Sequence, residues 1–502
     1  MLAPLCFSTL ALAQNYYAAS LDGAQEVPPA PSAGRGFGIV RHDTATNNLR
    51  IFVWHDGLTG PPAAAHLHLG PVGANGGVIL PLVMASPDTF TGVGVITPAQ
   101  AAALAASGTY LNVHTAAFGG GEIRGQVVTA TSTRFTALLS GAQEVPPNAS
   151  TGTGTAIAFL HQPENRVVYM VNSSGLGGVA AAHLHQAPAG ANGGVIVPLN
   201  GAAGSYCGVS GPLSAAQVAA LLANGVYANI HTNAFPGGEI RGQLIKDLGD
   251  HWVANLDSAQ QVPPNPNPGL GGANLVVAPN GVVTITGAFG GLTGPAAAAH
   301  VHLGAPGVNG GVVFGLALAG TTFSATFAAT TANLADLRAG NWYVNVHTAA
   351  FGGGEIRGQL TPARLPTTFG AGCLGSNGVR PQSGATGFPS VGSGMGIDLY
   401  GAVPGSPTIF AFGTNRDNLG PIPLPFELTL AGIMSPDCYV FLDPIITLVV
   451  FANGFGCATQ PLNVPFNPSL RGAAAYGQWF VLDPPANPGG FVASSALSMP
   501  IQ

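Results

Sequence analysis

The chain repeats itself three times at a spacing that matches the size of a globular domain. Each copy contains a His-x-His pair, in repeat 1 within AAAHLHLGPVGANGGV, and a later histidine, in repeat 1 within YLNVHTAAFGGGEIRGQ. The pairs recur every 117 residues, from His66 to His183 and from His183 to His300. A period of this length indicates tandem globular domains rather than a solenoid of short repeats.

Nine of the 13 histidines occupy these repeated positions, which indicates that they have the same role in each repeat. The two histidines of each pair are separated by one residue, so on a β-strand their side chains point to the same face. If the strand that carries the third histidine is a neighbour, three imidazoles converge. The three histidine trios are His66, His68 and His114; His183, His185 and His231; and His300, His302 and His347.

The composition favours short strands joined by turns. The 502 residues include 74 glycines and 42 prolines, which interrupt long helices. Hydrophobic residues make up 47% of the chain, which is enough to build cores and argues against a disordered chain. Only 7% of the residues are charged, the net charge is −6 and there is no basic run, so we expect no nucleic-acid partner.

Each repeat begins with a strand-like run and a proline turn, LDGAQEVPP in repeat 1. The double proline Pro28-Pro29 is expected to end this strand and to protect a sheet edge. Runs of alternating polar and apolar residues follow, such as LRIFVWHDGL at 49–58, and predict half-buried strands. After the His-x-His strand, Asn75-Gly76-Gly77 indicates a tight turn, because Asn and Gly tolerate a positive φ.

One short helix is expected in each repeat. In ITPAQAAALAASG, Thr97 is the expected N-cap, Pro98 the first helical residue and Gly108 the residue beyond the end. Ser214 and Gly225 have the same roles in LSAAQVAALLANG of repeat 2.

We therefore predict an all-β chain of tandem antiparallel β-sandwich domains, each with one short helix. The three repeats are placed at 14–130, 131–248 and 249–363, and a fourth, β-rich domain without histidine at 364–502. Residues 1–13, MLAPLCFSTLALA, have the apolar core and A-x-A end of a secretory signal peptide. The positive start of such signals is missing, so either the signal is atypical or the natural start lies upstream.

Cysteine usage agrees with export. Apart from Cys6 there are four cysteines, and disulfides persist in exported proteins. Four cysteines allow three pairings, and spacing alone does not choose among them. No later segment has the roughly 18 uninterrupted apolar residues of a membrane-spanning helix. We therefore expect a secreted or cell-surface protein without an integral membrane segment.

The motifs GAQEVPP, HxHxGxxGxNG and VNVHTxxFxGGEIRGQ, in this order, resemble the CHRD (chordin) domain, here in three copies. The family is found in exported proteins, and related domains occur in a secreted antagonist of growth factors, which implies a binding role. Repeat 3 departs from the pattern at Ser258 and Gln261, and repeat 2 has Gln186-Ala187 where the others have Leu-Gly.

The C-terminal segment resembles a unit found at the ends of exported proteins of environmental bacteria. This resemblance implies a disulfide between Cys373 and Cys438. Cys207 is then expected to be a free thiol, because it is the only cysteine of its repeat.

Two interpretations of the histidine trios stay open. As ligands, three neutral imidazoles suit Zn or Cu, one ion per repeat, with an open position for water or a ligand. Glu122, Glu239 and Glu355 are then the nearest candidates in sequence to hold the other ring nitrogens. As structural residues, the histidines tie strands and loops together, and Glu122 and Arg124 could pair with each other or with a histidine.

A His-x-His strand with a later histidine is also similar to part of the copper site of Cu/Zn superoxide dismutase, an analogy of fold and motif only. The sequence has no nucleophile elbow, phosphate-binding loop or HExxH motif. It therefore favours a non-enzymatic, exported binding or structural protein whose tandem domains attach multivalently to an extracellular or cell-surface protein or glycan. The alternative is a metal-binding protein or a metal-dependent redox enzyme that uses the trios.

Overall fold

The computed structural model describes residues 14–502 except residues 131, 163, 203, 248–250, 279–280, 392–393, 429–436 and 466. The expected signal peptide, residues 1–13, lies outside the described residues. Strands are the main regular element of the described chain, and each repeat contains one α-helix. No helix within the described ranges is long and apolar enough to cross a membrane.

The three repeats have nearly the same order of elements. Repeat 1 contains β1 (Gln14–Asp22), β2 (Arg35–Asp43), β3 (Asn48–Asp56), β4 (Pro62–Leu69), β5 (Val78–Ser86), β6 (Thr89–Val95), α1 (Pro98–Ala105), β7 (Thr109–Thr115), β8 (Ile123–Gln126) and β9 (Val128–Thr129). Repeat 2 contains β10 (Thr133–Ser140), β11 (Thr153–His161), β12 (Arg166–Ser174), β13 (Val179–Gln186), β14 (Gly194–Pro198), β15 (Gly201–Ala202), β16 (Ser205–Val209), α2 (Ala215–Leu222), β17 (Val226–Thr232), β18 (Ile240–Gln243) and β19 (Ile245–Lys246). Repeat 3 contains β20 (His251–Asp257), β21 (Leu270–Val277), β22 (Val282–Gly290), β23 (Ala296–Leu303), β24 (Val312–Ala319), β25 (Thr322–Ala328), α3 (Thr331–Arg338), β26 (Trp342–Thr348), β27 (Ile356–Gln359) and β28 (Thr361–Pro362).

The sheet of repeat 1 closes on itself. Its strands pair in the order β1-β2-β3-β6-β5-β4-β7-β8, and β8 returns to β1. These pairings are antiparallel, and repeat 3 closes in the same way. In repeat 2 no ladder between described residues joins β14 to β15 or β16. The predicted antiparallel all-β fold with one helix per repeat is confirmed.

Inward and outward side chains alternate along the strands that carry the histidines. Ala65 and Leu67 of β4 and Leu111 and Val113 of β7 lie in the core of repeat 1, where each is 1% exposed or less. Burial of a leucine or valine side chain contributes about 1.5–3 kcal/mol to folding. Because the strand period is two, the histidines between these residues project from the outer face of the sheet.

Helix capping follows the sequence prediction at the start of the helix, and Gly108 lies beyond its end as expected. The hydroxyl of Thr97 accepts from the backbone N–H of Gln100, whose side chain accepts in return from Thr97 N–H. Ser214 forms the same capping box in repeat 2. The left-handed residue beyond α1 is Ser107, at φ 57°, rather than Gly108.

Two sequence expectations about turns are wrong. The first strand ends at Asp22, before the double proline, because residues Gly23–Gln25 form a 3-10 turn in which the Gln25 N–H donates to the Asp22 carboxylate. In the Asn-Gly-Gly turn, Gly76 is needed for close packing rather than for a positive φ. A Cβ at Gly76 would lie 1.4 Å from the carbonyl oxygen of Leu69, so no larger residue fits.

The C-terminal domain is β-rich, as predicted, and contains two main sheets. One has five strands in the order β29-β40-β39-β32-β37, and the other has three in the order β30-β31-β38. The strands are β29 (Thr367–Phe369), β30 (Gln382–Gly387), β31 (Gly394–Tyr400), β32 (Pro407–Asn415), β33 (Asn418–Leu419), β34 (Ile422–Pro423), β35 (Phe426–Glu427), β36 (Tyr439–Val440), β37 (Asp443–Phe451), β38 (Ala458–Asn463), β39 (Ala474–Leu482) and β40 (Phe491–Pro500).

This domain contacts all three repeats through different chemistry. An aromatic cluster packs against repeat 1, an ion pair reaches repeat 2, and a hydrogen bond reaches repeat 3. These contacts are Tyr16 with Phe369 (ring centroids 4.9 Å apart), Glu164 with Arg380 (3.0 Å) and Asn274 with Ser390 (2.7 Å).

Two disulfides are present in the described chain. Cys373 bonds to Cys438 within the C-terminal domain, as the resemblance implied. Cys207 bonds to Cys457, so the expectation that Cys207 is free is wrong. Its partner lies 250 residues away in another domain, where Tyr400 and its apolar neighbours bury the bond. A count of cysteines by domain could not find a bridge between domains.

We expect non-reducing peptide mapping to recover both of these disulfides. The substitution Cys207→Ser should destabilise the folded protein and lower its melting temperature, because a cross-link over 250 residues restricts the unfolded chain. In the chain-entropy model the loss of stability is at most about 5.5 kcal/mol. Ser205→Ala, on the same strand, is the matched control and should have little effect. A thiol-reactive Cys207 in the folded, oxidised protein would contradict this assignment.

Candidate metal centre

The strand register brings each predicted histidine trio together. In repeat 1, β4 and β7 pair so that His66 faces Asn112, His68 faces Tyr110 and Ala64 faces His114. The small side chain of Ala64 leaves space on the outer face, and His114 is the diagonal neighbour of His66, within reach of its ring. Repeats 2 and 3 have the same register.

The side-chain nitrogens of each trio lie close enough to serve one ion. In each repeat, one ring nitrogen from each of the three histidines lies within 4.8 Å of the other two. His66 Nδ1 and His114 Nε2 are 3.1 Å apart, and the equivalent atoms of His300 and His347 are 3.2 Å apart. Tetrahedral Zn–N bonds of about 2.0–2.1 Å place ligand nitrogens about 3.3 Å apart. Small rotations of the imidazole rings would therefore bring the three nitrogens to the spacing that one ion needs.

Backbone carbonyls select the tautomers of two histidines. His68 Nδ1 lies 3.0 Å from Gly76 O, and His114 Nδ1 lies 3.1 Å from Gly119 O. A carbonyl only accepts, so both Nδ1 atoms carry the proton and both Nε2 atoms present lone pairs to the centre of the trio. The equivalent acceptors are Gly193 and Pro236 in repeat 2 and Gly310 and Gly352 in repeat 3.

Several of these lone pairs have no hydrogen-bond partner. The Nε2 atoms of His68, His185 and His302 are buried and unpaired among the described residues. In repeat 2 the unpaired set also includes His183 Nδ1 and His231 Nε2, so no hydrogen bond links these two rings. Because buried polar atoms are nearly always satisfied, this arrangement is typical of a site completed by a ligand.

Tyr110 and Arg124 support the second histidine of the pair, a role that was predicted for neither residue. The ring of Tyr110 stacks on His68 with centroids 4.7 Å apart, and the Arg124 guanidinium lies 3.5 Å from the centre of the Tyr110 ring. Arg124 also donates to Asn75 Oδ1 and to two carbonyls of the loop after β4. All three repeats carry this Asn, Tyr and Arg. Their recurrence is the sequence signal from which this supporting role could have been predicted.

Glu122 does not hold a histidine, which corrects the sequence expectation. Its carboxylate accepts from the hydroxyls of Ser32, Thr59 and Thr115 and from Thr59 N–H, at 2.6–2.9 Å. Burial alone would raise the pKa of Glu122, but these hydrogen bonds outweigh it and hold the pKa below its ordinary value. Glu122 therefore joins loops to β7. Glu239 accepts from the hydroxyls of Ser150 and Thr232, and Glu355 accepts from the hydroxyls of Thr293 and Thr348 and from the Asn267 amide. None of the three glutamates pairs with the neighbouring arginine among the described contacts.

Comparison with known families identifies the repeats. The CHRD domain matches residues 17–127, 135–244 and 252–360, which together exceed half of the chain. The chain belongs to the CHRD-domain family. No curated protein matches the chain.

Two solved structures align with the chain at low similarity. The chain aligns with trypsin-activated alpha-2-macroglobulin from Escherichia coli at 9% identity and a TM-score of 0.15, over 91% of this chain and 30% of that one. It aligns with Salmonella alpha-2-macroglobulin reacted with methylamine at 7% identity and a TM-score of 0.16, over 99% and 40%. The chain therefore spans less than half the length of these proteins, and TM-scores this low define no common fold.

The environment of the trio in CHRD repeat 1 favours neutral imidazoles. Burial lowers the pKa of His66, His68 and His114, and proximity to the other rings lowers the pKa of His68 and His114 further. The hydrogen bonds that His68 and His114 make to backbone carbonyls raise the pKa of these histidines, but too weakly to reverse the downward shift. Neutral imidazole is the form that binds a metal ion.

One side of each trio is open. His68 is 9% exposed, whereas His66 and His114 are only half-buried. Val78, directly across from His68 on β5, is 52% exposed, and Val195 and Val312 hold the same position in the other CHRD repeats at 51% and 57%. A molecule that approaches the trio therefore meets two imidazole edges and an apolar side chain.

A buried carboxyl group lies beside the trio in two CHRD repeats. Glu26 accepts from the Asn112 side chain at 2.7 Å, and burial raises its pKa to about 7, against an opposing effect of Arg124. Burial raises the pKa of Glu144 in repeat 2 to about 7 as well. In repeat 3, Gln261 donates to Asn345 at 2.7 Å, so an amide stands where the other repeats have a carboxyl group with a raised pKa.

We expect Glu26→Gln and Glu144→Gln to stabilise the protein at alkaline pH and to have little effect at pH 4. The folded state holds a proton on each carboxyl between pH 4.5 and 7, so the free energy of unfolding falls as the pH rises through this window. A glutamine cannot ionise, so the free energy of unfolding of these variants does not fall in this way. At pH 8 each variant should therefore be more stable than the wild-type chain by roughly 1–3 kcal/mol per site. Calorimetric unfolding at both pH values, with a chelator present, measures the effect.

The third repeat offers the reciprocal control. Gln261→Glu should introduce the same loss of stability between pH 4.5 and 8. Equal stability changes at the two pH values for all three variants would contradict the assignment of buried, protonated carboxyls.

Proposed function

We propose that this protein is a non-enzymatic, exported binding protein in which each CHRD repeat holds one transition-metal ion. The observation that carries the proposal is the threefold recurrence of one arrangement. In each repeat three imidazoles converge, carbonyls select the tautomers of two of them, and at least one inward lone pair is buried without a partner.

The donor set suits zinc or copper. All three donors are imidazole nitrogens, which bind both metals well, and the stability order of divalent ions places Cu²⁺ above Zn²⁺ at equal availability. Three protein donors leave a fourth position, which lies on the open side next to His66 and His114. We propose that a donor group of an extracellular or cell-surface ligand binds there, so that three sites on one chain attach multivalently.

Export is supported by the two disulfides. Both the bond within the C-terminal domain and the bond between domains are typical of proteins that fold in an oxidising compartment. The sequence of residues 1–13 agrees with this proposal.

A second candidate function is metal-dependent redox catalysis, favoured by the same open side of the trio. A redox assay on the copper-loaded protein separates the two candidates. Turnover that is lost in His68→Ala and in its equivalents in repeats 2 and 3 would favour an enzyme. Tight copper binding without turnover would favour the binding protein.

We expect the full chain to bind three equivalents of Zn²⁺ or Cu²⁺, measured by dialysis and elemental analysis. Each of His68→Ala, His185→Ala and His302→Ala should remove one equivalent, because it removes one of three donors. The combined variant should bind none. His42→Gln is the matched control, because His42 bonds to Asn47 outside the trios, and it should keep all three ions. Unchanged stoichiometry in the combined variant would refute the metal proposal.

We also expect the site of repeat 2 to load first. In repeats 1 and 3 a hydrogen bond between two histidines must break before an ion binds, whereas repeat 2 has none. A hydrogen bond has a net value of about 0.5–1.5 kcal/mol, which corresponds to roughly 2- to 12-fold in affinity. In calorimetric titration, His185→Ala should therefore remove the tightest phase, and His68→Ala a weaker one. Loss of the tightest phase in His68→Ala alone would contradict this order.

A further inference from the structure

The edge strand β37 of the C-terminal domain exposes a largely apolar surface. It pairs with β32 on one side, and no other ladder involves it within the described chain. Alternate residues of a strand point to opposite faces, and large apolar side chains are exposed on both faces of β37. They are Ile445 (51%), Ile446 (38%), Leu448 (42%), Val449 (67%) and Phe451 (67%).

This strand lacks the features that normally keep an edge from pairing. Between Ile445 and Phe451 there is no charged residue, proline or glycine. Its register with β32 is regular from Ile446 to Phe451, and the irregularities begin at Ile445, opposite the step from Phe412 to Gly413. Natural edges are usually blunted by charges, prolines or bulges, so a regular, apolar edge of this length is a template for a further strand.

We propose that β37 pairs antiparallel with β37 of a second copy of this chain, about a twofold axis at Leu448. In this register Leu448 faces its own copy, and Ile446 faces Val450. Thr447 faces Val449, the one mixed pair, and both of its members are β-branched. Directly opposed side chains of this kind stabilise antiparallel pairing, and the self-complementary sequence needs no other partner.

Charge also selects this arrangement. The only charged residue of β37 is Asp443, at its first position. In the antiparallel register the two Asp443 carboxylates lie ten positions apart along the paired strands, about 34 Å. A parallel, in-register pair would place them side by side, where like charges destabilise the pairing. The net charge of −6 over 502 residues adds little repulsion between copies.

The pairing would join two five-stranded sheets into one sheet of ten strands. It is an isologous contact, in which the same strand of each copy is used, so it closes at the dimer and leaves neither β37 edge free. The assembly would carry six CHRD repeats.

Light scattering coupled to size-exclusion chromatography of the full chain tests the proposal. The wild-type chain is expected to have twice the monomer mass at micromolar concentration, and Val449→Lys to have the monomer mass. Val93→Lys is the matched control, because Val93 lies on β6 of repeat 1 and is 68% exposed, against 67% for Val449, and it should stay dimeric. A monomeric wild-type chain at all concentrations overturns the proposal.

Cysteine cross-linking tests the register independently of Val449→Lys. Leu448→Cys should form a disulfide-linked dimer under mild oxidation, because the residue faces its own copy. Thr447→Cys should not cross-link alone but should cross-link when mixed with Val449→Cys. If Leu448→Cys gives no more dimer than Thr447→Cys alone, the antiparallel pairing about Leu448 is wrong, whatever the behaviour of the lysine variant.

Discussion

The antiparallel register between β4 and β7 is the constraint on which both the core and the candidate site depend. This register places Leu67 and Leu111 in the interior and His66 and His68 on the outer face. Because side chains alternate with a period of two, a slip by one residue would expose the leucines and bury the histidines. The burial of the aliphatic residues therefore also positions the imidazoles, and the site needs no separate device to hold its strands.

The outer face of the sheet is made rigid by buried polar groups rather than by apolar packing. Arg124 is 1% exposed, and its guanidinium binds the loop after β4 while it packs against Tyr110. Glu122 is fully buried and binds hydroxyls from three loops and strands. Unpaired, such groups would cost several kcal/mol each, so the satisfied network specifies one loop arrangement. The GGEIRGQ motif thus acts as a scaffold for the site, and its charged residues are not ligands.

Local sequence patterns predicted the features that depend only on residues close together in the chain. The period of two predicted that His66 and His68 share a face, and the cap at Thr97 predicted where α1 begins. The closure of the sheet, by contrast, depends on which distant strands pair, and alternation carries no information on that. The carbonyls of Gly76 and Gly119 also could not be predicted as histidine partners, because a backbone acceptor has no sequence signature. The bond from Cys207 to Cys457 was missed for the same reason, since it depends on how two domains dock.

That docking determines how the three candidate sites act together. The C-terminal domain holds repeat 1 through an aromatic cluster around Tyr16 and Phe369, repeat 2 through the Cys207–Cys457 bond, and repeat 3 through polar contacts at Ser390. Sites on flexible tethers adapt to many spacings but lose entropy at each new attachment, whereas anchored sites lose little when the ligand spacing matches. An arrangement of this kind favours a ligand with a regular repeat over one with scattered binding groups. If the proposed binding function holds, the C-terminal domain contributes to selectivity through geometry, although it carries no histidine of its own.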